Sequence, residues 1–151
     1  MFASLTRRNV PDVNDHASLT GLLGERFSVQ REIGRGGMAA VYLAQDHKQD
    51  RLVAIKLLRE GFEDESVRQR FAREVRATGK LHHPNIVTVF DTGEHDNRPF
   101  IAMEYVAGET LAAVIHRRAP ASIIEKLTIL EDVCDGLRCA HEAGIIHRDI
   151  K

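Results

Sequence analysis

Residues 33–58 read IGRGGMAAVYLAQDHKQDRLVAIKLL. Three glycines, Gly34, Gly36 and Gly37, stand just ahead of the apolar run Val41-Tyr-Leu-Ala44. A polar linker, Gln45-Asp-His-Lys-Gln-Asp-Arg51, separates that run from Leu52-Val-Ala-Ile-Lys-Leu-Leu58. Upstream, Phe27, Val29 and Ile33 alternate with Ser28, Gln30 and Glu32. Period-two alternation and short apolar runs bounded by turn residues mark strands. The stretch therefore reads as three strands, turning once at the glycines and once at the linker. Side chains alternate along a strand, so Ala54 and Lys56 share a face. A cation carried toward a buried face calls for an anion.

The spacing Gly34-x-Gly36-x-x-Ala39-x-Val41 suits a loop that brings its backbone close to a polyphosphate, because glycines leave the N–H groups bare. The same spacing fits a dinucleotide fingerprint. That fingerprint opens a helix and is followed about 20 residues on by an acid. Here a strand follows, and the nearby standout is Lys56. A glycine-rich hairpin without any ligand also fits the bare motif.

Downstream, residues 65–80 carry a helical pattern. At 100° per residue Val67, Phe71, Glu74 and Thr78 fall in one narrow arc, with Val75 beside them. Glu74 thus lies inside an apolar stripe, and Lys56 is its natural partner. Taken singly, each could be a tolerated, snorkelling charge. His82-His-Pro84-Asn85 punctuates the chain, and strands are expected at 86–90 and 100–105, joined by the turn-rich stretch 92–97. After Gly108 the pattern turns helical: Leu111 to His116, then a longer helix opened by the capping box Ser122-Ile-Ile-Glu125. In it Ile123, Leu127, Leu130, Val133, Cys134 and Leu137 recur every three or four residues, and Gly144 suits the C′ terminator. Hairpin-linked strands followed by helices give an α+β fold with an antiparallel sheet.

The bulk properties agree. At 43% hydrophobic and 28% charged residues the chain is an ordinary globular polypeptide, and 151 residues suffice for one domain with a real core. Lys and Arg number 21 against 22 Asp and Glu, for a net charge of −1, which argues against a dedicated nucleic-acid binder. Cys134 and Cys139 form neither a CxxC pair nor a disulfide framework and are expected as buried thiols near a helix. The N-terminus has no secretory apolar core, and no stretch approaches a membrane span, so the visible part is expected in the cytoplasm. His82 and His83 lack metal-ligand spacing. Arg68, Arg70, Arg73 and Arg76, among acidic neighbours, read as a solvated helix face.

Four motifs in order, the glycine-rich loop, Val53-Ala-Ile-Lys56, the helix glutamate Glu74 and His147-Arg-Asp149, resemble the protein kinase family from about Phe27 to Lys151. The loop looks particularly like bacterial eukaryotic-like serine/threonine kinases, and Lys151, two residues after Asp149, resembles the serine/threonine branch. Ahead of that span, residues 1–26 lack strong periodicity, carry Pro11, Asn14, Asp15, His16 and Gly21, and read as an N-terminal arm. The resemblance implies a kinase N-lobe over 27–106, built as a five-stranded antiparallel sheet plus one long helix. A partial C-lobe over 107–151 would end in the catalytic loop. It implies ATP as cofactor, with the nucleotide lined by Ile33, Gly34, Arg35, Gly36, Gly37, Met38, Ala39, Ala40, Val41 and Ala54. Lys56 would hold the α- and β-phosphates, positioned by Glu74. Met103 matches the gatekeeper, Glu104 and Val106 the hinge, and Glu109 a ribose contact. Asp149 would accept the proton of a Ser or Thr hydroxyl on a protein substrate, and Lys151 would steady the transferred phosphate. Ala39 departs from the family's usual third glycine, which stiffens the loop without abolishing binding.

Kinase chemistry also needs Mg²⁺, whose ligands in the family are a catalytic-loop asparagine and the aspartate of Asp-Phe-Gly. Neither occurs in these 151 residues, so no metal ligand is assigned here and Mg²⁺ belongs to the complete parent protein. Met1 is read as a true start and the chain as truncated at its C-terminal side. Two functions follow: a serine/threonine protein kinase of which this is a part, or a non-catalytic, pseudokinase-like ATP-binding module. The 151 residues alone are expected to be inactive, to fold poorly and to expose apolar surface around Leu127, Leu130 and Leu137. The protein substrate, the oligomeric state and any membrane anchor in a later segment are left open.

Overall fold

A computed structural model describes residues 26–62, 64–66, 69, 71, 79 and 81–146. Its described part opens with β1 (Phe27–Arg35), β2 (Ala39–Asp46) and β3 (Arg51–Leu58). After the helical residues Glu65, Ser66, Gln69 and Phe71 come β4 (Val89–His95) and β5 (Arg98–Glu104). Two helices follow, α1 (Leu111–His116) and α2 (Ile123–Glu142). All pairings are antiparallel and the strand order is β1-β2-β3-β5-β4. The α+β class and the five-stranded sheet are as expected from the alternating pattern.

Alternation along the strands divides the sheet into two faces. One face carries Phe27, Ala40, Tyr42, Ala44, Val53, Ile55, Leu57, Phe100 and Ala102 as a continuous buried cluster. There Phe27 and Phe100 meet edge to face at 6.1 Å. The other gathers Ala39, Leu58, Phe71 and Ile101, with Met38, Phe62, Val89 and Met103 packed against them. Phe71 fixes the inward side of its helix, since its ring is fully buried in this second cluster. Burying side chains of the size of Ile55, Leu58 and Phe71 contributes about 1.5–3 kcal/mol each.

The last two strands differ from expectation at their ends, β5 running over Arg98–Glu104 where 100–105 was expected. The strand expected at 86–90 begins at Val89 and continues to His95. The two-residue turn is Asp96-Asn97, with φ +46° and +61°. Those angles suit a type I′ hairpin, whose twist matches the flanking strands. The polar run Thr92–His95 is strand because β4 lies at the sheet edge, where side chains need not be apolar.

The helices are closed by named caps. Thr110 caps α1, and its hydroxyl accepts from the Ala113 N–H. At α2 the Ser122 hydroxyl accepts from Glu125 N–H while the Glu125 carboxylate accepts from Ser122 N–H, the expected capping box. Gly144, at φ +76°, ends α2: its N–H donates to His141 and the Ile145 N–H to Ala140. This is a Schellman closure. The outer face of α2 is apolar and open: Ile124 is 72% and Leu130 59% exposed. Leu127 is also exposed, while Leu137 is half-buried. Cys134 is exposed rather than buried, because it sits on this open face, and Cys139 is half-buried. No helix among the described residues is long and apolar enough to cross a membrane.

Candidate functional site

The glycine-rich segment is the tip of the β1–β2 hairpin. Gly36 N–H donates to the Ala39 carbonyl at 2.8 Å and closes it. Neither Gly36 nor Gly37 adopts a left-handed φ, unlike Gly61, Gly108 and Gly144. A Cβ added at Gly37 would meet nothing within 4 Å, and one at Gly36 only the Ala39 oxygen at 3.6 Å. Folding of the hairpin therefore does not itself require glycine at either position. What the glycines supply is bare backbone that an anion can approach closely, although the Gly36 N–H itself is spent on the turn. That cradle suits a polyphosphate.

Strand register then sets the side chains beside it. Gly34 pairs with Val41, Val41 with Lys56, and Lys56 with Ile101, one row across four strands. The next row holds Leu43, Ala54 and Met103. Both rows lie on the face that carries the second cluster, so Val41, Ala54, Lys56 and Met103 share a surface with the tip residue Met38. Lys56 is half-buried, and its Nζ stands 5.9 Å from the centre of the Phe71 ring, a cation–π distance. Glu74, Asp149 and Lys151 lie outside the described residues.

The other loop residues divide by role. Ile33 is half-buried in β1, and Arg35 donates through Nε to Glu32 at 2.8 Å. Ala39 is buried in the second cluster. Ala40 points into the first cluster, away from Lys56, so its side chain cannot line the same face and only its backbone can serve. At the end of β5, Glu104 N–H donates to the Thr88 carbonyl at 2.8 Å, and its carboxylate accepts from Thr88 N–H at 3.2 Å. With the N–H committed, any ligand bond from this residue must use its carbonyl. Val106 is exposed. Glu109 accepts twice from Arg117, at 3.1 and 2.8 Å, so a ribose contact would have to share Oε2 or use Oε1. Among the described residues no three His, Cys, Asp or Glu side chains converge as a metal site.

Sequence reasoning passed over three residues that shape this region. Asn85 donates through Nδ2 to the Asp132 carbonyl at 2.9 Å, tying the segment after the helical residues to α2. Gly136 gives α2 the close approach that this contact needs, and a glycine in mid-helix was the available signal. Arg59 reaches back to the glycine loop, donating through Nη1 to the Gly37 carbonyl at 3.1 Å. An arginine just past a strand carries no such signal.

The profile described as protein kinase domain matches residues 27–151. The chain belongs to the protein kinase family. It is 44% identical over 132 residues to a probable serine/threonine-protein kinase PknB of Lactococcus lactis, covering 86% of this chain and 21% of that protein. It is 46% identical over 127 residues to the serine/threonine-protein kinase PrkC of Bacillus subtilis, covering 83% and 20%. Among solved structures it resembles the PknI kinase domain of Mycobacterium tuberculosis, with a TM-score of 0.70 and 36% identity. That match covers 83% of this chain and 52% of the other. The chain thus spans about a fifth of the length of the curated relatives it matches and about half of the solved kinase domain.

Proposed function

We propose that the face bearing Gly34, Val41, Ala54, Lys56 and Met103 is the ATP site of a serine/threonine protein kinase. The observation that carries this is the register, which sets a half-buried cation in the same row as Gly34 and Val41, beside the apolar row of Ala54 and Met103. Residues 27–106 form the N-lobe of this reading, and residues 107–151 the start of a C-lobe. The relatives named as serine/threonine-protein kinases support the substrate class, a Ser or Thr hydroxyl on a protein.

ATP, when bound, supplies the phosphoryl group. The backbone from Gly34 to Ala39 covers the phosphates, the Gly36 N–H being committed to the Ala39 carbonyl, and Lys56 offsets their charge. Val41, Ala54 and Met103 exclude water from the adenine and orient it, while the Glu104 carbonyl and Val106 backbone hold its edge. Asp149 takes the proton of the substrate hydroxyl, and Lys151 steadies the phosphate. Glu74 positions Lys56. Among the described residues no cluster of carboxylates would hold Mg²⁺.

Calorimetric titration with ATP tests the site. Lys56→Met removes one charge-assisted contact to phosphate and is expected to weaken binding by about tenfold or more, consistent with about 1.5–3 kcal/mol for such a bond. Equal affinity of the two forms would refute the assignment of Lys56.

A further inference from the structure

We infer that Arg59 is a positioning residue for the glycine-rich loop, holding the Gly37–Met38 peptide so that the Met38 N–H is presented to phosphate. The inference rests on the nucleotide reading above. Arg59 grips the tip of the hairpin twice: its backbone N–H donates to the Met38 carbonyl at 3.0 Å and its Nη1 to the Gly37 carbonyl at 3.1 Å. In a planar trans peptide the C=O and the next N–H point in opposite directions. A guanidinium that draws the Gly37 carbonyl toward itself therefore turns the Met38 N–H away from itself, leaving it open for a ligand. Gly36 and Gly37 have no Cβ to restrain them, so the tip needs such an outside hold to keep one peptide orientation.

The mount for Arg59 is itself built. Phe62 N–H donates to the Arg59 carbonyl at 3.3 Å, and Gly61 between them stands at φ +81°, the conformation required at the third position of a type II turn. The turn returns Phe62 to the apolar cluster that also holds Met38 and Phe71. The guanidinium lies 6.0 Å from the Phe62 ring centre, which steadies its direction. The tip of the loop, the end of β3 and the helical residue Phe71 are thus joined through one cluster and one arginine. A charged donor to a backbone carbonyl is a strong, directional bond.

The test combines amide hydrogen exchange without nucleotide and ATP titration, on wild type, Arg59→Ala, Arg59→Lys and Lys56→Met. Arg59→Ala is expected to speed exchange of the Gly36 amide several-fold, as the hairpin tip opens locally, while Ile55 and Ala102 amides in the sheet are unchanged. ATP affinity is expected to fall about tenfold, and Arg59→Lys, which keeps a charged donor, to recover part of both losses. Weaker ATP binding with unchanged Gly36 exchange would overturn the positioning role in favour of direct contact with phosphate. Unchanged affinity and exchange in Arg59→Ala, with Lys56→Met still impaired, would overturn the latch and leave the nucleotide site standing. No ATP binding by wild type would overturn the nucleotide reading and this inference with it, the exchange data still reporting on the hold itself.

Discussion

Gly136 sits in the middle of α2, where a Cβ would lie 3.2 Å from the Asn85 carbonyl and 3.5 Å from Ile86. The nearer atom is backbone, held in place by the Asn85–Asp132 bond, so it cannot swing aside as a side chain would. Alanine there would gain about 1 kcal/mol of helix propensity and lose a similar amount to crowding. Gly136→Val has no such offset. It is expected to cost about 1–3 kcal/mol and to separate the 82–86 segment from α2, as read by chemical denaturation. Lys56 poses the converse problem at the same scale: its position was legible because a cation interrupts an apolar strand, and the register then shows which residues accompany it. Arg59 was not legible, because its role depends on a carbonyl 22 residues away.

Among the elements, the outer corner of the sheet is held by charge. Arg26 donates to Asp91 on the edge strand β4 and, at 3.4 Å, to the buried Asp46 at the end of β2. Burial pushes the Asp91 carboxyl up, but the hydrogen bonds from Arg26 and from the Thr92 N–H, with the charges of Arg26 and Lys48, outweigh it and hold it below its ordinary value. A depressed carboxylate contributes stability that is present above its unfolded pKa of about 3.9 and lost as pH falls below it. Thermal melts from pH 7 to 3 should therefore drop more steeply for wild type than for Asp91→Asn, and identical slopes would discount the clamp. The elements themselves were uneven to read. The α2 caps were visible in Ser122, Glu125 and Gly144, whose chemistry is local. The end of α1 was not: it closes on Arg118 at φ +52°, a left-handed position filled without glycine. β4 was misplaced by three residues because an edge strand can be polar.

At the scale of the molecule, the sheet and its cluster at Phe71 stand on local patterning, and the α+β order follows from hairpins before helices. Glu74 was legible as an acid inside an apolar stripe and Asp149 as part of His147-Arg-Asp149, and both lie outside the described residues. On the proposed reading the polypeptide presents Lys56 to the phosphates of ATP. An acyl-phosphate derivative of ATP, whose carbonyl is attacked by a lysine amine beside the phosphates, forms an amide and releases the nucleotide. Peptide mass spectrometry then reads which lysine carries the acyl group. Modification is expected at Lys56, suppressed by excess ATP, with Lys48 and Lys126 labelled slowly and without competition. Labelling of Lys56 no faster than of Lys48 and Lys126, or labelling that ATP does not suppress, would contradict it.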